Sequence, residues 1–437
     1  MPDLHVDAAG SNTAPYDTWA KAATTLATAL GAEAAGDRIL IGSAYTQTTA
    51  GLTVSMAGSL TSPVQVLSGT KGATSGLTAL GAGAVIASSS ALTVNGSGYV
   101  YGVSWQNTAA GSSVMTFGAA AGETQVYDDC EFIVAGAGGS TWVNLGVNVS
   151  GSGVVGKTTL RNCRMRLGAA AQFISPQGDV FIQGLTWLAG GVAPTRLFET
   201  YGSNRTLNLI VEGADLTNIG TASNLYGDIT TGARVLFRDV LLPSGWTGAP
   251  IADANLATGA RVELWNYRVG ASSWNRFWIR DAQCTLTAET VIVRTGGADD
   301  ENGFYSVRMV TTPNCAWPMA EARTMDFRVP NATTGSNITL TAQIIRDSVA
   351  ALNDNEVWLE VEEPDGTVTR DSMTNVLSTP AAQTASSHTW VTTGMSNPNR
   401  QQLEVTINPS RPGVLLCRVV CVLPSATIYV CPKIAKT

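Results

Sequence analysis

Between Val100 and Val269 a short pattern recurs seven times, and it constrains this chain more than any other feature. Its anchors are Gly102, Asp129, Asn162, Gly184, Gly213, Asp239 and Asn266. Two residues before each anchor stands Val100, Tyr127, Leu160, Ile182, Val211, Phe237 or Leu264; one after stands Val103, Cys130, Cys163, Leu185, Ala214, Val240 or Tyr267. Three after come Trp105, Phe132, Met165, Trp187, Leu216, Leu242 and Val269, so all 21 flanking positions are apolar while every anchor is Gly, Asn or Asp.

Those anchor types tolerate a left-handed backbone. The apolar positions change parity across the anchor, whereas a straight strand keeps one parity, so the chain must bend there. The unit is therefore strand, one-residue corner, strand, with both strands sending side chains into one interior. Six intervals of 22 to 33 residues span the 164 residues from Gly102 to Asn266. A period near 27 signals a solenoid; built of short strands, it is a β-helix, and unequal loops between strands account for the unequal intervals.

Only 14% of residues are charged, against about 25% in an ordinary soluble domain, and Gly, Ala, Ser and Thr take their place. No apolar run approaches the roughly 20 residues that span a bilayer, so no membrane partner is expected. The opening Met1-Pro-Asp-Leu-His-Val-Asp lacks the basic and apolar regions of a secretory signal, which implies folding in a cytoplasm. A net charge of −7 without a basic block argues against nucleic acid, because phosphate neutralisation needs clustered cations. Five Lys leave 21 Arg among 26 basic residues. That imbalance fits a surface covered by neighbouring chains as well as a genome whose codons favour Arg.

Seven cysteines lack metal-ligand spacing, and with only His5 and His388 in the chain neither a zinc site nor any other metal or cofactor is expected. Cys130 and Cys163 hold equivalent inward positions as small hydrophobes. Cys417 and Cys421 face one side of an alternating strand and Cys431 follows, leaving their disulfide state open.

Taken in order, residues 1–38 read as a strand (Leu4-His5-Val6) and a capping helix. Asp17 is its N-cap, Trp19, Ala22, Ala23, Leu26 and Leu30 lie on one face, and Gly31 ends it. Such a cap covers the apolar side chains and open strand edge of a first turn. The parallel β-helix occupies 39–300, with early strands at Ile39–Gly42, Leu52–Ser55, Val64–Leu67, Ala84–Ala87 and Leu92–Val94 that do not align to the anchors. Ile279–Cys284 resembles an eighth anchor 15 residues on, where the repeat ends. After a connector, 301–322, alternating strands fill 323–437: Met325–Val329, Ile338–Ile345, Val357–Glu362, Thr367–Arg370, Leu403–Ile407, Val414–Val422 and Thr427–Val430. They make an antiparallel β-sandwich, with Glu363-Pro364-Asp365-Gly366 as a hairpin turn. The fold class is thus all-β: a right-handed parallel β-helix with an N-terminal capping helix, then a C-terminal β-sandwich.

The opening Val6-Asp7-Ala8-Ala9-Gly10-Ser11-Asn12, Tyr16-Asp17-Thr18-Trp19-Ala20-Lys21-Ala22 and Ala34-Ala35-Gly36-Asp37-Arg38-Ile39-Leu40-Ile41 resembles the N-terminal capping segment of pectate-lyase-like right-handed β-helix proteins. The segments Asn331-Ala332-Thr333-Thr334-Gly335-Ser336 and Leu352–Glu362 are similar to the end domain of β-helical structural proteins of tailed bacteriophages. The first resemblance implies a fold and little about activity, since this fold hosts lyases, hydrolases and inert spikes alike. The second implies a virion protein.

Gly151-Ser-Gly-Val-Val-Gly-Lys157-Thr158 matches the phosphate-binding loop pattern. That loop works only between a strand and a helix, whereas a turn of the solenoid follows here; it is a loop between turns. Asp128, Asp129 and Glu131 are the carboxylate set for a sugar-cleaving site, where two acids about 5–10 Å apart divide the roles, and Asp215 and Asp239 on later turns would stack near them. Asp129 and Asp239 are also what corner geometry alone selects, so the reading is structural and non-enzymatic. A Ser-His machine has little scope with two histidines. Trp105, Trp142, Trp187, Trp246, Trp265 and Tyr267 lie in or beside the solenoid, the first and third of them at inward positions. Trp274, Arg276 and Trp278 form a freer segment, a candidate for a glycan or an interface.

These readings lead to a non-enzymatic bacteriophage virion protein, assembled in the host cytoplasm and displayed as a homotrimeric head decoration or head spike on the major capsid or other virion proteins. The head is favoured over the tail because the capping segment begins almost at once. The alternative is a tailspike or tail fibre that binds or cleaves a host surface polysaccharide.

Overall fold

The computed structural model of the chain describes residues 3–111, 114–118, 122–136, 143–146, 156–200, 206–227, 229, 233–252, 260–271, 275–281, 284–289, 292–294, 306–311, 315–318, 328–332, 334–347, 357–370, 388–390, 398–421, 427–430 and 435–436. It divides into two compact units, Met1–Asn275 and Arg276–Thr437, a boundary earlier than the expected 300.

Among the described residues the first unit is built almost wholly of strands in three parallel ladders, visited in the same order on every turn. The first ladder runs through Arg38–Gly42, Val64–Lys71, the end of Leu92–Tyr101, Thr124–Asp128, Lys157–Arg161, Gly178–Gln183, Thr206–Glu212, Arg234–Arg238 and the start of Arg261–Val269. The second holds Thr46–Thr49, Ala84–Ser88, Val103–Asn107, Glu131–Val134, Arg164–Arg166 and Thr186–Trp187. The third holds Leu52–Ala57, the start of Leu92–Tyr101, Met115–Gly118, Val143–Leu145, Ile174–Pro176, Arg196–Phe198 and Asn224–Tyr226. This arrangement is compatible with a parallel β-helix.

The corners between the first and second ladders fall where the pattern put them. All seven anchors have positive φ, from +48° at Asn266 to +69° at Gly102 and Gly184. From Gly102 to Asp239, each corner N–H donates to the carbonyl just before the next corner, for example Asp129 to Arg161 (3.0 Å) and Asn162 to Gln183 (2.8 Å). The bend is thereby part of the ladder. Of the 21 flanking apolar residues 19 are buried. The two half-buried ones, Tyr267 and Val269, belong to the last turn, beyond which no parallel strand stacks among the described residues. Asn162→Val is expected to lower stability by about 1–2 kcal/mol, the cost of a left-handed backbone for a residue with a branched Cβ, whereas Asn162→Gly stays within about 0.5 kcal/mol of wild type. Paired denaturant melts check this.

The early turns escape the anchor pattern because their corners are longer. The first passes through Gly42-Ser43-Ala44-Tyr45, and the second inserts a hairpin in which Val64–Lys71 pairs antiparallel with Leu77–Leu80. The hairpin folds back on the cap: Gly76 N–H donates to His5 Nε2 (2.9 Å), His5 Nδ1 bonds the Tyr16 carbonyl (2.9 Å), and Trp19 Nε1 donates to the Gly76 carbonyl (3.1 Å).

The cap itself differs from the expected helix over 17–30. Only Leu26–Leu30 is helical, capped by Thr25, whose side chain accepts from the Thr28 N–H. The reason is competition for backbone groups. Ala23 N–H donates to His5 O (2.9 Å) and Ala23 O accepts from Asp7 N–H (3.0 Å), so residues beside Asp3–Val6 close its open edge instead of turning into a helix. Trp19, Ala22, Ala23, Leu26 and Leu30 are buried all the same.

Glu33, just past the helix, accepts from the Ala57 N–H through Oε1, while Oε2 is buried without a hydrogen-bond partner. Desolvation pushes its pKa up to about 7, against the pull of the Ala57 bond. The unfolded chain ionises near the ordinary value of about 4.3, so between about pH 4.5 and 7 the folded state binds more protons and stability falls as pH rises. Glu33→Gln is expected to be more stable than wild type at pH 8 by about 1 kcal/mol, a figure discounted for partial exposure, and equal to it at pH 4. Thermal melts of both proteins at the two pH values test it.

In the second unit every pairing between described strands is antiparallel. Cys284–Glu289 pairs with Asn275–Asp281 and Ser306–Thr311; Thr427–Val430 links Ser306–Thr311 to Ile338–Asp347, which pairs with Pro398–Ile407. A second sheet joins Cys315–Pro318, Arg328–Asn331, Gly413–Cys421, Val357–Glu362 and Val368–Arg370. The supposed eighth anchor is thus part of an antiparallel hairpin, and the expected connector contributes two strands. Leu340, Ala342, Leu403 and Val405 of one sheet and Leu359, Val361, Leu415 and Val419 of the other are buried.

Candidate functional site

The outer face of the first ladder gathers most of the polar chemistry of the first unit. Alternation along each strand leaves three outward columns. Beside the corner run Tyr101, Asp128, Arg161, Gln183, Glu212, Arg238 and Trp265; two residues back run Tyr99, Val126, Thr159, Phe181, Ile210, Leu236 and Glu263; two further back run Thr124, Lys157, Asp179, Asn208, Arg234 and Arg261. A mainly apolar column therefore lies between two polar ones.

The sequence-derived carboxylate set sits at one corner of this face, and each member already has partners. Arg164, one turn on, reaches Asp129 (3.1 Å) and Glu131 (2.9 Å). Asp128 accepts from Tyr99 Oη (3.3 Å) and Asn162 Nδ2 (3.5 Å). A substrate would have to displace these partners. Asp215 and Asp239 do not join them, contrary to expectation. Glu131 and Asp215 share a column but are separated by Arg164 and Thr186, and three strand spacings are about 14 Å. Four corners' spacing separates Asp129 from Asp239, about 19 Å, outside the range over which two carboxyls divide glycoside hydrolysis. Asp215 bonds Thr217 N–H and Oγ1 (3.1 and 2.7 Å), and Asp239 accepts from Asn266.

At the far end of the face Glu263, 2% exposed, takes Arg234 (3.1 Å), Arg261 (3.2 Å) and Trp265 Nε1 (2.8 Å), while Arg238 pairs with Glu212 (3.0 Å). Lys157 and Arg161 differ. Neither has a carboxylate within 4.0 Å among the described residues, and the Lys157 ammonium stands 4.7 Å from the centroid of the half-buried Phe181 ring. The phosphate-loop pattern puts Lys157 and Thr158 in a loop between turns, which the structure corrects. They open the strand Lys157–Arg161, with Thr158 buried and inward; Gly151 to Val155 lie outside the described residues. The signal that could have singled out Lys157, Arg161 and Phe181 is the outward parity of their strands.

Trp142 and Trp274 lie outside the described residues, as do the side chains of Arg276 and Trp278 on Asn275–Asp281. Trp105 and Trp187 are core, each 1% exposed. No group of three or more metal-ligating side chains occurs among the described residues. Cys130, Cys163 and Cys417 are free thiols, and burial pushes them up, Cys163 and Cys417 to about 12, so none is a thiolate near neutral pH. A cavity of about 400 Å³ near the cap is lined by Asp7, Tyr45 and Lys71, of which Asp7 and Lys71 pair with each other.

No protein-family model matches the chain, and no curated protein matches it. Among solved structures it is similar to the enzymatically active domain of tailspike protein 4 of bacteriophage CBA120, at 11% identity over 92% of this chain and 64% of that one, with a TM-score of 0.20. It is also similar to the CBM22-1 xylan-binding domain of Xyn10C from Paenibacillus barcinonensis, at 10% identity over 35% of this chain and 83% of that one, with a TM-score of 0.18. Likenesses at this level carry no argument about what the chain does.

Proposed function

We propose that the chain is a surface-displayed structural protein of a bacteriophage particle, of tailspike or tail-fibre kind, that binds a host surface polysaccharide and does not cleave it. In this reading the first unit is a right-handed parallel β-helix, the second a β-sandwich, and the working form a homotrimer. The observation that carries it is the state of the carboxylates: every acid of the candidate set is held by Arg164, Tyr99 or Asn162, on a stack of turns whose outer face exposes Lys157, Arg161 and Gln183. Such a face offers stacking and hydrogen bonds to a sugar chain with no acid pair poised to break it. The resemblance of the C-terminal segments to phage end domains supports the virion setting.

Two measurements test it. Incubation with a panel of bacterial capsular and lipopolysaccharides is expected to show binding without release of reducing ends; release that Asp129→Asn or Glu131→Gln abolishes would make the protein a depolymerase. Electron cryo-microscopy of the intact particle is expected to place the chain on the tail, and density on the capsid lattice would make it a head decoration instead.

A further inference from the structure

We infer that the stretch of the first ladder around Lys157, Arg161 and Phe181 is a binding site for an acidic polysaccharide, one that carries carboxylates along its chain. The inference rests on the glycan-binding reading above and deepens it by naming the charge of the ligand.

The argument starts from where the neutralising acids went. Lys157 lies directly opposite Asp179 in the ladder, and Arg161 directly opposite Asp128. Cross-strand pairs of opposite charge attract, so two ion pairs are expected here. Neither forms within 4.0 Å. Asp179 instead accepts from Asn208 Nδ2 (2.8 Å), and Asp128 from Tyr99 and Asn162. Neutral donors thus satisfy both acids, and both cations are left without a carboxylate among the described residues. Elsewhere on the same face Arg234, Arg238 and Arg261 all have one.

The two cations are exposed, four apart on one strand, and point outward, which spaces them by about 13 Å. Between and beside them lie Thr159, Val126 and Phe181, the last presenting a half-buried ring under the Lys157 ammonium. Two cations without a carboxylate, one of them seated over the Phe181 ring beside the apolar Val126, match a sugar chain that offers periodic anionic groups and apolar ring faces. A bare polyanion would use the cations and leave the aromatic idle. Because the chain carries −7 overall, attraction is local and screened over about 10 Å at 0.1 M salt.

The test uses the full chain and immobilised alginate, hyaluronate and polysialate, their carboxyl-reduced forms, dextran, and a duplex DNA oligonucleotide. At least one acidic polymer is expected to bind, at least tenfold more tightly than its carboxyl-reduced form, with affinity falling as salt rises. Lys157→Gln/Arg161→Gln is expected to lose at least tenfold and Phe181→Ala at least threefold, each with an unchanged melting temperature for the first unit. Equal binding by wild type and the double variant, or equal binding of acidic and reduced polymers, overturns the inference. Binding of dextran or reduced polymers alone overturns it but leaves the glycan-binding reading standing; binding of no polysaccharide overturns both. DNA bound as tightly as any sugar polymer overturns it in favour of unselective anion binding.

Discussion

Phe117→Ala is expected to destabilise the first unit by about 3–5 kcal/mol, read as a shift in the denaturant midpoint followed by tryptophan fluorescence. Phe117 is fully buried on the third ladder and meets rings from the other two. Its centroid is 4.7 Å from Phe132, 5.4 Å from Tyr127 and 5.8 Å from Trp105, all edge-on, and each such pair contributes about 0.5–1.5 kcal/mol beyond burial. The cavity cannot close easily, because strands above and below are locked by parallel ladders on all three sides and interiors are packed to crystal-like density. Phe117→Leu, which keeps most of the volume, is expected to cost less than half as much. Equal midpoints for wild type and Phe117→Ala would mean that the turns slide together, and that the stack is far softer than its hydrogen bonding implies.

The sequence made the corners legible because a corner is local. Whether Gly102 or Asn162 bends the chain depends on its own backbone freedom and on the parity of its immediate neighbours, and both are printed in consecutive residues. The cap was not local. Whether Trp19 to Ala23 coil into a helix depends on the strand Asp3–Val6, whose free edge claims the carbonyl and N–H of Ala23; helix periodicity reports the buried face correctly and the backbone wrongly. The early turns were hidden for a related reason, since the hairpin inserted after Val64 breaks the spacing without breaking the stack. For the outer face the decisive quantity was register. Arg164 lies 33 to 35 residues from the acids that it holds, and intervals that vary from 22 to 33 residues give no rule for which side chains stand opposite one another. Once the register is known, the separation of Asp129 from Asp239 follows from strand spacing alone. The stranded cations at 157 and 161 follow only from the bonds that Asn208, Tyr99 and Asn162 make to the acids opposite them.

Register also makes one interior side chain indispensable. Gln125 points into the first unit, fully buried, at the junction of the third and first ladders. Its Nε2 contacts the carbonyls of Val94 (3.1 Å), Gly96 (3.0 Å) and Gly118 (3.1 Å), and its Oε1 accepts from Tyr127 Oη (3.0 Å). The junction needs such a donor because Leu92–Tyr101 passes from one ladder to the other through Gly96 at φ +84°, and a bend there turns carbonyls inward where no neighbouring strand can meet them all. Gln125→Leu keeps the volume and removes the donors and acceptor together, so carbonyls and the Tyr127 hydroxyl lose their partner in a site without solvent. At about 1–3 kcal/mol for each buried polar group left unsatisfied, the expected loss is about 3–5 kcal/mol, felt first as increased amide exchange at Val94 to Gly98 and in Met115–Gly118. Gln125→Glu is expected to be worse near neutral pH, since it adds a buried charge facing carbonyl oxygens, and to recover towards the Leu variant in acid as the carboxyl takes up a proton. A Leu variant as stable as wild type would show that water enters the junction and replaces the amide, and the strand crossing would then owe its shape to Gly96 alone.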